Sequence, residues 1–167
     1  MPVNFEKYLD QLSENLDQYS TRFLRFVAMY FPNAEVRKKC WVKTNVEIGE
    51  GSYLNPNVTI LDNYQSKEIM VIIGKNCSIA SGVVFAPYSK HNNSKFLRKT
   101  GILCRYEKVE KIIVGEEVWI GANCTLLPGI KIGDYCIIGA NSLVNKNIPD
   151  YSLAYGNPIR IVRDIRD

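Results

Sequence analysis

Between Val114 and Val144 the chain repeats itself every six residues, a period that few folds can accommodate. Val114, Ile120, Leu126, Ile132, Ile138 and Val144 hold one recurring position, and Gly115, Gly121, Gly133 and Gly139 follow four of them. Four places after the first five stand Val118, Cys124, Ile130, Cys136 and Ser142, mostly small or β-branched. An α-helix returns to one face roughly every 3.6 residues and cannot keep a face on a period of six. A strand alternates every two, so six residues imply a short strand and a turn repeated as a unit. Such units wind into a parallel β-helix whose aliphatics stack coil on coil along the axis. Each one fully buried contributes about 1.5–3 kcal/mol. The glycines relieve crowding where the chain bends at each corner.

The same register is expected upstream. Val42, Ile48, Leu54 and Ile60 are spaced by six, and the pattern returns at Ile73, Ile79 and Phe85. It breaks first at LDNYQSKEIMV and again from about Tyr88 to Lys111, a polar, basic stretch holding His91, Asn92, Asn93, Ser94, Lys95, Arg98 and Lys99. A long excursion from a rigid solenoid is often functional. Ahead of the repeat, Phe5, Tyr8, Leu9, Leu12, Leu16, Tyr19, Phe23, Val27 and Tyr30 predict one or two amphipathic helices, ended by Pro32 and Asn33. Laid against the open first coil, they supply the cap a solenoid needs. Arg22 and Arg25 with Phe23, Phe26 and Phe31 also allow a membrane-surface reading. After Pro149 a Gly-Asn-Pro turn leads to a basic segment, 159–166, read as a short helix. The expectation is an all-β chain of one domain. Residues 1–33 are helical, 34–149 form the β-helix with an extruded loop at about 88–111, and 150–167 are a basic tail.

The 167 residues, 46% of them hydrophobic, suit one core. A net charge of +4 is too weak to imply nucleic acid and fits an anionic ligand. No segment approaches the roughly 18–20 apolar residues that span a bilayer. The first residues lack the basic-then-apolar order of a signal peptide. None of the five cysteines forms a CxxC pair, and Cys77, Cys124 and Cys136 fall at the small inward position. They read as reduced and structural, and the protein as cytoplasmic. His91 is the only histidine, which argues against any zinc site. It is also the one side chain whose unperturbed pKa lies near neutrality. Taken alone, it reads as a solvated loop residue sooner than as a base.

The run H-x6-R-K-x-G (His91, Arg98, Lys99, Gly101), followed by IIVGEEVWIGANCTLLPGIKIGDYCIIGANSLVNKNIPDYSLAYGNPIRIV, resembles the galactoside and maltose O-acetyltransferases. These belong to the left-handed β-helix, hexapeptide-repeat acyltransferases, whose first coils the upstream IGEGSYLNPNVTILDNY also resembles. The resemblance covers about residues 42–166 and is most specific in the last third. It implies a left-handed coil and a homotrimer with active sites in clefts between neighbouring β-helices. It also implies direct transfer from acetyl-CoA to a hydroxyl of a sugar or surface-polysaccharide unit, with His91 as general base. A base with a pKa near the working pH typically contributes about 10²–10⁴-fold to such a step.

The thioester oxyanion needs a fixed donor. The family's donor is a backbone N–H just after Trp-Ile-Gly, which here is Ala122. The matching acceptor-side positions are Tyr53, Asn55, Asn63, Leu103 and Trp119. Asn63 stands where the family usually has an acidic residue, with Asp62 adjacent as a substitute, and Leu103 replaces a methionine. Both departures bear on the acceptor's identity. The family places coenzyme A along its last coils, and the matching residues here are Ala122, Ala140, Asn145, Lys146, Arg160 and Arg163. A basic cluster on that path suits the pyrophosphate and 3′-phosphate of the cofactor. Arg160 and Arg163 also read as a solvated basic end, Trp119 as an outward aromatic at a subunit contact, and Arg98 as a loop tether or a cofactor contact in the next subunit.

Other functions stay in play at this level. The acceptor can instead be the amine of an amino sugar, serine or an antibiotic hydroxyl. A carbonic anhydrase of this fold needs three metal-binding histidines, and the chain has one. Cys104 as a covalent nucleophile lacks a second histidine to activate it. A non-catalytic scaffold predicts that His91 tolerates substitution and that coenzyme A does not bind.

Overall fold

The computed structural model of the chain describes residues 14–61, 68–90, 95, 99 and 107–167. Apart from one two-stranded ribbon, its strands lie on three faces, which the chain visits in turn. The first face holds Val46–Ile48, Val71–Ile73, Ile112–Val114 and Lys131–Ile132. The second holds Tyr53–Leu54, Ser78–Ile79, Trp119–Ile120, Ile137–Ile138, Ser152–Tyr155 and Arg160–Asp164. The third holds Thr59–Ile60, Val84–Phe85, Thr125–Leu126 and Leu143–Val144. Coil-to-coil pairing is parallel throughout, so the hexads build a triangular parallel β-helix. Inside it Ile73, Ile79, Phe85, Val114, Ile120, Leu126, Ile132, Ile138 and Val144 are buried, together with Cys77, Cys124 and Cys136.

Where the extra residues go follows from the register. In the unbroken part Ile113 pairs with Lys131, Trp119 with Ile137 and Thr125 with Leu143, an offset of eighteen residues on every face. Between the first two coils the offset is twenty-five on every face (Val46 with Val71, Tyr53 with Ser78, Thr59 with Val84). Between the second and third it is forty-one (Val71 with Ile112, Ser78 with Trp119, Val84 with Thr125). Equal offsets on three faces mean that all the surplus leaves at one place in each coil, the corner between the third face and the first. Both excursions therefore root on the same corner, one coil apart. The longer one begins as a two-stranded ribbon, Tyr88–Ser89 antiparallel to Lys108–Val109.

At the N-terminal end the structure corrects the sequence reading. Helix α1 spans Thr21–Tyr30, with Ser20 accepting from the Phe23 N–H at 3.3 Å. Pro32 and Asn33 do end it, but Asn33 also opens a second helix, α2, Ala34–Lys43, by accepting from the Glu35 and Val36 N–H groups. Residues 34–43 thus belong to the cap and not to the β-helix. Val42, expected to start the hexad register, sits on α2 with 50% of its surface exposed. Its spacing from Ile48 is a coincidence of the pattern.

The two helices bury Leu24, Val27, Ala28, Val36, Cys40 and Trp41 against the first coil. Arg25, which the membrane-surface reading needs at a surface, is buried and donates to the Ile60 and Thr44 carbonyls. Among the described residues no helix is long and apolar enough to cross a membrane.

The C-terminal segment is likewise a strand and not a helix. Arg160–Asp164 pairs antiparallel with Ser152–Tyr155 after a turn at Gly156, whose φ of +110° suits glycine. The last coil offers an open edge of unpaired backbone, and the β-branched Ile161 and Val162 favour filling it as a strand.

Candidate active site

The outward positions of the second face form a column set by the register: Tyr53, Ser78, Trp119, Ile137, Leu153. Their strand neighbours Leu54, Ile79, Ile120 and Ile138 point into the core, so alternation forces these side chains into the open. Tyr53 is 46% and Trp119 57% exposed, which confirms Trp119 as an outward aromatic. The Arg37 guanidinium lies 5.8 Å from the centre of the Tyr53 ring. Arg37 itself is buried, held by the Leu54, Phe31 and Pro32 carbonyls. The sequence reading passed over this residue, because it placed 34–43 in the β-helix and not on a capping helix with a buried face.

Beyond Trp119-Ile120 the chain turns at Gly121, Ala122 and Asn123, the corner between the second and third faces. A Cβ on Gly121 would lie 2.6 Å from the Ala140 nitrogen, so only glycine lets the coils close here. The Ala122 carbonyl accepts from the Asn141 N–H at 2.8 Å, while no described residue accepts from the Ala122 N–H. Ala140 occupies the equivalent place one coil on. This corner thus offers a backbone donor whose position the coil fixes, which an oxyanion site requires. Asn55 lies on the same corner in the first coil and donates its Nδ2 to the Ile79 carbonyl at 3.1 Å. One of its N–H groups is therefore already engaged by the scaffold.

Asn145 and Lys146 are exposed on a different corner, the one from which both excursions leave. The last coil is shorter there, with Ile148 bridging Ile132 sixteen residues on. Asn147 fastens the turn by accepting from the Lys131 N–H at 2.9 Å. Arg160 and Arg163 are exposed on the terminal strand, where Arg163 pairs with Leu153 and so extends the second face. Asp62, Asn63, His91, Arg98, Leu103 and Cys104 lie outside the described residues. What the structure supplies is the foot of the His91 excursion, where the Lys90 ammonium sits 5.1 Å from the centre of the Tyr88 ring.

The candidate residues therefore fall into two groups. Tyr53, Trp119 and Arg163 stand on the second face, with Asn55, Ala122 and Ala140 at its edge. Lys146, Asn145 and the roots of both excursions occupy the corner between the third and first faces. In a triangular prism that corner is opposite the second face. The coil of one chain does not bring the groups together.

The cysteines of the wall take no part. Cys77, Cys124 and Cys136 donate their thiols to the Gly115, Gly139 and Pro149 carbonyls of the next coil at 3.0, 3.1 and 3.0 Å. Burial pushes all three thiols above the ordinary range and raises Cys40 to about 11. A thiol held protonated is a poor nucleophile at neutral pH.

A triangular parallel β-helix of hexads, carrying a long excursion at one corner, defines a class of protein by itself. Residues 111–146 match the family described as bacterial transferase hexapeptide (six repeats). The galactoside O-acetyltransferase of Escherichia coli (strain K12) is 37% identical over 142 residues, covering 80% of this chain and 65% of that relative. The chain thus spans just under two thirds of the length of the curated relatives it matches, 65% and 64% for the two galactoside O-acetyltransferases. A solved galactoside acetyltransferase in complex with coenzyme A aligns at TM-score 0.67 with 30% identity, over 87% of this chain and 78% of the other. A hexapeptide-repeat-containing acetyltransferase from Vibrio cholerae aligns at TM-score 0.69 with 21% identity, over 96% and 94%, and shows the shared fold. The chain belongs to the bacterial hexapeptide-repeat acetyltransferases.

Proposed function

We propose that the chain is an acetyl-CoA-dependent O-acetyltransferase acting on a hydroxyl of a sugar or surface-polysaccharide unit, as a homotrimer of left-handed β-helices. His91 is the general base and takes the acceptor's proton as its oxygen attacks the thioester carbonyl. The Ala122 N–H receives the oxyanion that forms. His91 then returns the proton to the departing thiolate as the C–S bond breaks, so no acyl-enzyme is required. Tyr53, Asn55, Asp62, Asn63, Leu103 and Trp119 face the acceptor. Ala140, Asn145, Lys146, Arg160 and Arg163 hold the coenzyme A moiety, the cations against its phosphates.

The observation that carries this reading is the opposition of the two groups. The arm bearing His91 roots on the corner opposite the face that presents Trp119, with the Ala122 N–H at its edge. A second copy that brings its arm to this face completes the site. Such head-to-tail contacts, repeated by rotation, close into a ring, and the resemblance puts three copies in it. The test is release of free thiol from acetyl-CoA across a panel of mono- and disaccharides, run for the wild type and for His91→Ala beside sedimentation of both. Acceptor-dependent release that His91→Ala abolishes, from a trimer, supports the assignment. A stable monomer at micromolar concentration, or undiminished release from His91→Ala, overturns it.

A further inference from the structure

Helix α1 is apolar on two sides. Its inner side buries Leu24, Val27 and Ala28. Its outer side carries Phe23, Phe26 and Tyr30, spaced by three and four so that they share one helix face. Tyr19, just ahead of the Ser20 cap, joins them: its ring stacks on Phe23 with centres 5.0 Å apart, as Phe26 lies 5.2 Å from Tyr30. All four rings are exposed, Phe26 at 61% and Tyr30 at 52%. Capping the coil uses the inner side alone and leaves the outer stripe without a role.

The order of the rings says what fits there. Read from either end, the stripe runs Tyr, Phe, Phe, Tyr with steps of four, three and four. Two copies laid antiparallel are therefore self-complementary. A two-fold axis between them sets Phe23 of one against Phe26 of the other, and Tyr19 against Tyr30. An isologous contact requires such a patch. Its phenyl rings fall at the centre and its tyrosine hydroxyls toward a wet rim. A lipid surface fits less well, because interfacial helices carry a basic flank. On α1 the one exposed charge is Arg22, and Arg25 is buried.

Area decides how many chains such a contact needs. At about 200 Å² for a whole side chain, the four rings leave about 380 Å² open per chain, so one pair of stripes buries about 750 Å². Stable interfaces bury about 1,200–2,000 Å², and a single pair falls short. A ring of three parallel coils has its three caps at one end. Two such rings joined cap to cap close three pairs and bury about 2,300 Å².

We propose that the outer stripe of α1 binds a second copy of the chain: two trimers join cap to cap through three antiparallel α1 pairs to make a hexamer. The proposal rests on the homotrimer of the proposed function and adds an interface that the trimer does not use. None of the four rings belongs to the candidate site, so acetyl transfer is expected to be the same in trimer and hexamer.

Sedimentation of the full chain over a concentration series tests it, with Phe23→Lys, Phe26→Glu and the two combined. Each single change puts a charge at the centre of the seam and is expected to weaken the joining of trimers at least about a hundredfold. In the double variant the two-fold brings opposite charges together, and hexamers are expected to return in part. A wild type that stays trimeric throughout overturns the proposal, as does a double variant no more hexameric than either single one. Trimers that float with phosphatidylglycerol vesicles, and cease to in Phe26→Glu, give the stripe to a membrane and likewise overturn it. A dimer of single chains that Phe26→Glu splits upholds the α1 pairing and rejects the trimer instead.

Discussion

Arg37 donates twice to one carbonyl, that of Leu54, from Nε at 3.3 Å and Nη2 at 2.9 Å. The same guanidinium reaches back through Nη1 to the carbonyls of Phe31 and Pro32 at 2.6 and 2.7 Å. It thereby ties the turn between the two capping helices to the first strand of the second face. All three carbonyls lie where the helices end and the coil begins. Substituting Arg37→Leu keeps the bulk and removes every donor. The expected outcome is a loss of about 2–4 kcal/mol, since hydrogen bonds to charged groups are worth about 1.5–3 kcal/mol and the Leu54 carbonyl stays buried. A urea midpoint within a few tenths molar of the wild type would contradict it.

The part of the fold that was legible is the part governed by period. From Ile73 to Val144 each inward aliphatic fell where the hexad put it, because nothing else competes for a residue facing the axis of a narrow prism. What escaped were places where a local signal had two meanings. Asn33 marks the end of one helix and equally the start of the next, and only the packing of Val36, Cys40 and Trp41 decides between them. The stretch Arg160–Asp164 carries no periodic mark, and it becomes a strand because the coil before it presents an open edge. Site positions on the coil, such as Trp119 and Ala122, came with the motif that fixes the corner. Their relation to Lys146 did not, since corner and face are assigned only by the register.

The proposed acetyl-transfer mechanism makes a sharp demand on His91. His91→Ala is expected to lower kcat by at least about a hundredfold, the ordinary contribution of a general base, while the Kd for acetyl-CoA stays within about twofold. A combined loss of kcat and cofactor affinity would point to a collapsed arm. Glutamine at 91 then separates the cases, because it preserves bulk and polarity without a titratable group.

Buried thiols give the fold a pH limit on the alkaline side. Cys40 ionises near its ordinary 9.0 in the unfolded chain and at about 11 in the folded one. A folded pKa above the unfolded value means stability is fully present below pH 9 and falls as pH rises toward about 11. The wall thiols Cys77, Cys124 and Cys136 shift in the same direction and add to the effect. Urea midpoints taken from pH 8 to 10.5 are expected to decline, and less steeply in Cys40→Ala, although that variant starts from a lower stability. An equal slope in both proteins would remove Cys40 from the account.

Arg163 provides the last test, because it separates a cofactor contact from a merely solvated basic end. It is exposed, and no salt bridge to a described residue holds it, unlike Arg166, which is clamped by Asp164. Hydrogen bonds from the Arg166 side chain and backbone hold the Asp164 carboxyl down to about 2, so that clamp stays ionised over any working pH. Removing Arg163 therefore deprives the folded chain of little, and Arg163→Ala is expected to melt within about a degree of the wild type. If Arg163 faces the cofactor's phosphates, the same change raises the Kd for acetyl-CoA about five- to twentyfold, the range of a charge-assisted phosphate contact at a partly wet site. The penalty shrinks in high salt as screening weakens the wild-type contact. Repeating the titration with 3′-dephospho-coenzyme A assigns the contact: a penalty that vanishes places Arg163 at the 3′-phosphate, and one that persists places it at the pyrophosphate. Unchanged affinity for both ligands would leave Arg163 as surface charge and return the cofactor's anchoring to Lys146 and Arg160.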